Sequence, residues 1–302
     1  MIDLHTHTNC SDGMLTPGQL IKLAADSGLT AISITDHDTI CAYDDSFGIL
    51  SLANNLNIEL VAGIEFSTVD ESTGQKIHVI GLDVDTNNKN LKETCNKLAA
   101  TRREMVVLTE NKLKDLGIVL RSSDLLKKFS IITKTHIVQD ILDNPENSDF
   151  FNNVYGKVPL RGAFIEDYLI KGKPAFVGNK DKFYTDMAID AIHQAGGKAF
   201  CAHPSFNVMR GFDFDKMKKL ILHNKFDGVE IINIQYDKSN GDIKFDMVKE
   251  FTDFAQKNNL LMSGGSDFHS DDQKICGNHS SLGLANEDYK ITKKQLELIL
   301  GN

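Results

Sequence analysis

Short apolar, β-branched runs alternate with amphipathic segments over residues 1–85, and the alternation returns near residue 186. IDLHTHT (2–8) has strand character, and TPGQLIKLAADSGL carries apolar residues at helical spacing. Thr16 is placed to cap that helix, Pro17 to open it and Gly28 to stop it. AISITDHD (31–38) predicts the next strand, a helix covers roughly 42–55, and ELVAGIEFSTV (59–69) and QKIHVIGLDV (75–84) predict two further strands. From 186 the order is DMAIDAIHQAGG as helix, KAFCAH (198–203) as strand, DKMKKLILHNK as helix and DGVEIIN (227–233) as strand. A helix over about 242–257 and the strand LLMSGGSDFH (260–269) complete the pattern.

Strands alternating with helices in this way imply a parallel sheet covered by helices, open or closed into a barrel. Residues 86–180 break the pattern. NKNLKETCNKLAATRREMVVLTENKLKDLG is one long helical stretch, followed by shorter helical pieces at THIVQDIL and LRGAFIEDYLIKG. The expected organisation is therefore an α/β domain formed by 1–85 and 181–302, with a helical insertion domain at 86–180 that serves as a lid.

At 302 residues the chain is long enough to bury a full core. No apolar run approaches the roughly 18 residues a membrane-spanning helix needs, and MIDLHTHT lacks the basic and apolar regions of a signal peptide. The five cysteines, Cys10, Cys41, Cys95, Cys201 and Cys276, are scattered and form no CxxC, so a reducing cytoplasm is expected. A net charge of −9 argues against duplex nucleic acid as partner but leaves room for a small phosphorylated substrate, because bound cations supply a positive field locally.

The chemistry concentrates at strand ends. In a strand, residues i and i+2 face the same side, so His5 and His7 project together. The spacing recurs as Asp267 and His269. Between them lie Asp12, His37, Glu65, His78 and His203, and five of the six strand segments carry their polar residue at or near the carboxyl end, where parallel α/β folds build sites. One buried histidine is usually a hydrogen-bonded core residue. Six of them with three carboxylates would carry heavy desolvation costs unless they shared cations. Imidazole with carboxylate suits Mn, Fe or Zn, and a shared carboxylate suits two ions about 3.5–4 Å apart.

HTHTNCSDG, ITDHDT, GIEFS, the strand His78, AHP at 202–204 and GSDFHS resemble, in order, the motifs of the PHP (polymerase and histidinol phosphatase) superfamily. The helical insertion after the fourth strand resembles the stand-alone branch that acts on nucleotides. The resemblance implies a distorted (β/α)7 barrel holding two to three divalent metal ions. One ion would take His5, His7, Glu65 and Asp267; a second would share Glu65 and add His78 and His203; a third would use Asp12, His37 and His269.

The expected activity is metal-dependent phosphoester hydrolysis, a bridging hydroxide attacking phosphorus in line, with His5, His7, Glu65, Asp267 and His269 at the reacting centre. Cys10 and Cys201, which border ligands, are expected to be buried filler. Asp36 is a candidate for orienting a ligand histidine. The substrate is expected to be a nucleotide-like monoester, a nucleoside monophosphate or a nucleoside 3′,5′-bisphosphate. A 5′-to-3′ exonuclease on short oligonucleotide ends is a close variant, and a histidinol phosphate phosphatase or a non-catalytic metal-binding module are further alternatives. Candidate substrate-binding residues in the insertion are Arg102, Arg103, Lys134, His136 and Arg161. The related nucleotide phosphatases carry Gly-Arg-Pro-His where this chain has Thr133-Lys134-Thr135-His136, and lysine lacks the bidentate grip of arginine on phosphate. His193, His223 and His279 receive no role.

Overall fold

The computed structural model describes all residues except 179–181, 234, 237–242, 271–281, 284–289 and 302. Cys276 and His279 lie outside the described residues, as does the expected boundary at 180/181. In chain order the elements are β1 (Ile2–Thr6), α1 (Pro17–Asp26), β2 (Ala31–Ile34), α2 (Ile49–Asn55), β3 (Glu59–Val69) and β4 (Lys76–Leu82). Helices α3 (Lys89–Lys114), α4 (Ser122–Lys128), α5 (Lys134–Asp143), α6 (Ser148–Tyr155) and α7 (Arg161–Phe164) follow, the last running into a π-helical turn at Ile165–Leu169. Then come α8 (Thr185–Gln194), β5 (Lys198–Cys201), α9 (Pro204–Met209), α10 (Phe214–His223) and β6 (Gly228–Ile232). A two-stranded ribbon of β7 (Gln235–Tyr236) and β8 (Ile243–Phe245), α11 (Val248–Lys257), β9 (Leu261–Gly264) and α12 (Lys293–Leu300) complete the chain.

Seven strands form one sheet in the order β1-β2-β3-β4-β5-β6-β9. The segment after β9 returns to β1: His7 N donates to Phe268 O (2.8 Å) and Asp267 N to His5 O (2.9 Å). This pairing nearly closes the sheet, and the expected (β/α)7-type barrel is the architecture. The sheet is mixed rather than parallel, however, because β4 runs antiparallel to both β3 and β5. That reversal explains why His78 stands near the start of its strand. It pairs with Ser67, two residues beyond Glu65, so the beginning of β4 lies at the end of the barrel where its neighbours finish.

Local signals explain the element limits. The Thr16 side chain and Gln19 form a reciprocal capping box on α1, and Gly28 turns the chain at φ +74°. The helix expected over 42–55 is broken: two 3₁₀ turns, Cys41–Tyr43 and Asp45–Phe47, precede α2. Asp44 caps the second of these turns, and Gly48 takes a left-handed φ of +60° before the helix begins. The helix expected from 242 begins only at Val248, the ribbon taking its first turn.

The chain divides into two compact units, Met1–Cys95 with Phe183–Asn302, and Asn96–Lys182. The second has its own apolar core, built around Val106, Leu113, Val138, Ile141, Phe151 and Phe164. No helix among the described residues is long and apolar enough to cross a membrane.

Candidate metal centre

β1 delivers His5, and its extended continuation delivers His7, to the same side. Their Nε2 atoms lie 3.1 Å apart. Glu65 Oε2 lies 3.4 Å from His5 Nε2 and 3.3 Å from His7 Nε2, and Asp267 Oδ1 lies 3.3 and 3.0 Å from the same two atoms. These five separations, 3.0–3.4 Å, bring donor atoms of imidazole and carboxylate close enough to share one ion.

A second set shares Glu65 through its other oxygen. Oε1 lies 2.8 Å from His78 Nδ1 and 3.0 Å from His203 Nε2, and those two nitrogens are 3.2 Å apart. A third set gathers around Asp12, whose Oδ1 lies 3.3 Å from His269 Nε2 and 3.8 Å from His37 Nε2, with the His7 ring stacked on His269 at 4.2 Å. All nine predicted ligand residues are thus in one cluster, and His37 Nδ1, 2.8 Å from Glu65 Oε2, links the third set to the other two.

The Asp267–His269 pair reaches the cluster differently from expectation. β9 ends at Gly264, and Asp267 adopts a left-handed φ of +54°, so the two side chains reach the cluster from a loop instead of a strand face, with His269 Nδ1 3.7 Å from Asp267 Oδ1. Asp267 joins His5 and His7, whereas His269 reaches Asp12. His269 Nδ1 is 2.8 Å from the Asp267 carbonyl; donating its proton there leaves Nε2 with a lone pair toward Asp12.

Surrounding residues hold these groups in place. Asp36 accepts hydrogen bonds from Thr8 N (2.7 Å), Thr8 Oγ1 (2.6 Å) and Ser11 Oγ (2.6 Å), and Ser11 Oγ lies 3.5 Å from His7 Nδ1. Its grip on the histidine is therefore through the Thr8–Ser11 turn. Asp3, fully buried, accepts from Ser266 N, Ser266 Oγ and Gly283 N and so ties β1 to the loop carrying Asp267. A Cβ at Gly13 would collide with the His7 carbonyl, and one at Gly265 with His5. Glu230, in the middle of β6, lies 2.9 Å from His5 Nδ1. Sequence reasoning passed over it within DGVEIIN, although a carboxylate inside an apolar strand was the available signal.

Electrostatics fit the group to a cation. Burial opposes ionisation of Glu65, but the His37, His78 and His5 imidazoles hold its carboxyl well below the ordinary range. Asp12, equally buried, is held well below it by His37 and His269. Burial by itself would lower His7, yet Asp267 and Glu65 raise it to about 10. Protons on imidazole are here the countercharge that divalent ions would replace. Asp12 Oδ1, His37 Nδ1, Glu65 Oε2 and His203 Nδ1 are buried without a hydrogen-bond partner. His37 Nδ1 and Glu65 Oε2 approach within 2.8 Å without hydrogen-bond alignment. The unpartnered oxygens of Asp12 and Glu65 suit a shared electrophile.

The predicted substrate-binding residues all lie in the second unit. Arg102 and Lys134 line one cavity of about 90 Å³ there. Arg102 donates to the Ile132 carbonyl and Lys134 to that of Leu169. Arg103 donates to the carbonyls of Phe129 and Leu126, Arg161 to Gln139, and His136 stacks on Phe129 at 4.0 Å while closing the N-terminal cap of α5. The four described cysteines are free thiols; Cys10 and Cys201 are buried, their thiols pushed up, the first chiefly by contact with Cys41 and the second by burial.

Comparison with known proteins agrees with this geometry. A "5′-3′ exoribonuclease" of Haemophilus influenzae is 32% identical over 88% of this chain and 89% of its own length. A "3′,5′-nucleoside bisphosphate phosphatase" of Chromobacterium violaceum is 27% identical over 89% of this chain and 87% of its own. In fold, the chain is similar to the solved structure of a protein from Bifidobacterium adolescentis, with a TM-score of 0.75 at 22% identity over 99% of this chain and 95% of that one. The PHP domain model matches residues 3–245. With that match spanning the strands that carry most of the cluster, the chain belongs to the PHP domain family.

Proposed function

We propose that this chain is a metal-dependent phosphoesterase that releases nucleotides from the 5′ end of short RNA. The observation that carries the reading is the paired donor array, two sets of ligand-type atoms joined by the two oxygens of Glu65. The 32% identical relative named an exoribonuclease supports RNA as substrate.

Divalent ions (Mn, Fe or Zn) bound there supply Lewis acidity and an acidified water for attack on phosphorus. His5, His7, Glu65 and Asp267 would hold the first ion, Glu65, His78 and His203 the second, and Asp12, His37 and His269 the third. His269 keeps its Nε2 lone pair forward by donating its Nδ1 proton to the Asp267 carbonyl. A side-chain nucleophile finds no support: the thiols bordering the ligands, Cys10 and Cys201, are buried and pushed away from thiolate.

A second reading, hydrolysis of a nucleoside 3′,5′-bisphosphate, is favoured by the 27% identical phosphatase. The two readings share one chemistry, a nucleoside 5′-phosphate whose 3′ phosphoryl group is either terminal or joined to the next nucleotide. Arg102, Lys134 and His136 are the candidates for gripping a further phosphate in either case.

The test supplies the Mn²⁺-loaded protein with 5′-phosphorylated di- and trinucleotide RNA, a nucleoside 3′,5′-bisphosphate and a nucleoside 5′-monophosphate at matched concentration. Nucleoside 5′-monophosphate should appear from the oligonucleotides fastest. Faster turnover of the bisphosphate would select the second reading, and no product from any of them, or full turnover after chelation, would refute both.

A further inference from the structure

We infer that Glu230 is a positioning residue that couples two of the ion-binding sets through the two oxygens of one carboxylate. This rests on the metal-centre reading above. Glu230 is 1% exposed and sits in β6, opposite Ser263 of β9, where its neighbours Val229 and Ile231 are apolar and buried. Its Oε1 lies 2.9 Å from Nδ1 of His5, which is itself fully buried. Its Oε2 accepts the main-chain N–H of His203.

The first contact decides which nitrogen of His5 carries a proton. A carboxylate can only accept, so Nδ1 is the protonated atom and Nε2 keeps its lone pair. Nε2 is the atom that faces His7, Glu65 and Asp267 in the first set. The opposite tautomer would place a proton in the centre of that set and disable His5 as a ligand.

The second contact decides where His203 points. His203 has φ +30° and ψ +53°, a left-handed conformation that a side chain with a Cβ adopts only when its surroundings impose it. The hydrogen bond to Glu230 anchors the nitrogen end of that residue. From the same residue Nε2 reaches Glu65 Oε1 and His78 Nδ1 in the second set. One buried anion thereby orients one ligand of each set, and its hydrogen bond at Nδ1 strengthens the His5 imidazole as a donor.

E230Q separates the two contacts while preserving shape. The amide oxygen must accept from the His203 N–H, which leaves the NH₂ group facing His5 Nδ1. His5 then becomes the acceptor at Nδ1 and carries its proton at Nε2, against the ion. Zn²⁺ affinity, measured by chelator competition on the purified full chain, should fall about 10- to 100-fold at the first set, the range typical of residues that support metal-bound histidines. Zinc per chain should fall by one ion at limiting Zn²⁺, while the second set keeps its own. A purely structural role would instead lower the melting temperature of the stripped protein and leave the affinity of the folded fraction intact.

Histidine-selective ¹⁵N NMR on the Zn²⁺-loaded wild type provides a measurement that needs no variant. His5 should show a protonated Nδ1 and a metal-shifted Nε2. Equal Zn²⁺ affinity in wild type and E230Q, or ligation of His5 through Nδ1, overturns the inference and leaves the metal-centre reading standing. A wild-type chain that takes up no Zn²⁺ or Mn²⁺ overturns both.

Discussion

Glu65 offers the sharpest test of a shared centre. Its Oε2 stands 3.4, 3.3 and 2.8 Å from nitrogens of His5, His7 and His37, and its Oε1 stands 2.8 and 3.0 Å from those of His78 and His203. Glu65→Gln keeps the volume but replaces the carboxylate by one neutral oxygen and an NH₂ donor, so neither set keeps its anionic ligand. Asp267→Asn alters only the first set and His203→Gln only the second. Metal analysis of protein equilibrated with limiting Mn²⁺ should therefore show two ions lost in the first variant and one in each of the others.

The thermal consequence follows from mass action. One ion held at a hundred times its dissociation constant stabilises the folded chain by about 2.7 kcal/mol, so two contribute about 5 kcal/mol. At roughly 2–4 °C per kcal/mol for a unit of this size, the two ions that share Glu65 should account for about 10–20 °C of the rise that Mn²⁺ brings to the wild-type melting temperature. That part of the rise should vanish in Glu65→Gln and halve in Asp267→Asn. Comparing each protein with its own chelated form removes the cost of the lost ion pairs. Equal metal-induced shifts in Glu65→Gln and Asp267→Asn would refute the shared carboxylate.

Gly265→Ala should lose the first ion and cost about 1–3 kcal/mol in urea unfolding, because the new methyl meets His5 main chain and Cβ, which have no rotamer through which to yield. Unchanged metal content would contradict the close approach. Asp36→Asn removes one of two acceptor oxygens from a buried set of three donors and should cost about 1–3 kcal/mol; an unchanged unfolding free energy would show that the Thr8–Ser11 turn holds without it. In metal-stripped protein, His7 is raised from 6.5 to about 10. Its contribution is complete below pH 6.5 and is lost as pH climbs through about 10, so the stripped melting temperature should fall across that window. His78 is lowered by burial, and His269 by burial and by His7, so both titrate below the window and leave it unaffected. A rising stripped midpoint would reverse the assignment of protons to the cluster.

What could be read from the chain beforehand depended on whether a signal was local. The His5/His7 pair needs only the two-residue period of a strand, and the cap at Thr16 needs only its neighbours, so both were legible. Strand direction is a property of partners. Nothing in KIHVIGL distinguishes a parallel from an antiparallel run, and the place of His78 became intelligible only once β4 was seen reversed. Asp267 hid a different feature. Left-handed turns announce themselves when glycine occupies them, and here an aspartate is held at φ +54° between main-chain contacts to β1. Glu230 was overlooked because a strand pattern was scored by its apolar majority, GVEII, in which one carboxylate counts as an exception. In a buried strand the exception is the informative residue: a charge at 1% exposure needs a donor, and its donors are His5 and the main chain of His203. The same reasoning separates the cluster from the insertion's cations. At the barrel the residue types, their burial and their mutual distances all demand a common charge. Arg103 and Arg161, by contrast, meet carbonyl and amide oxygens of their own unit, so residue type alone said nothing of the partner each one takes.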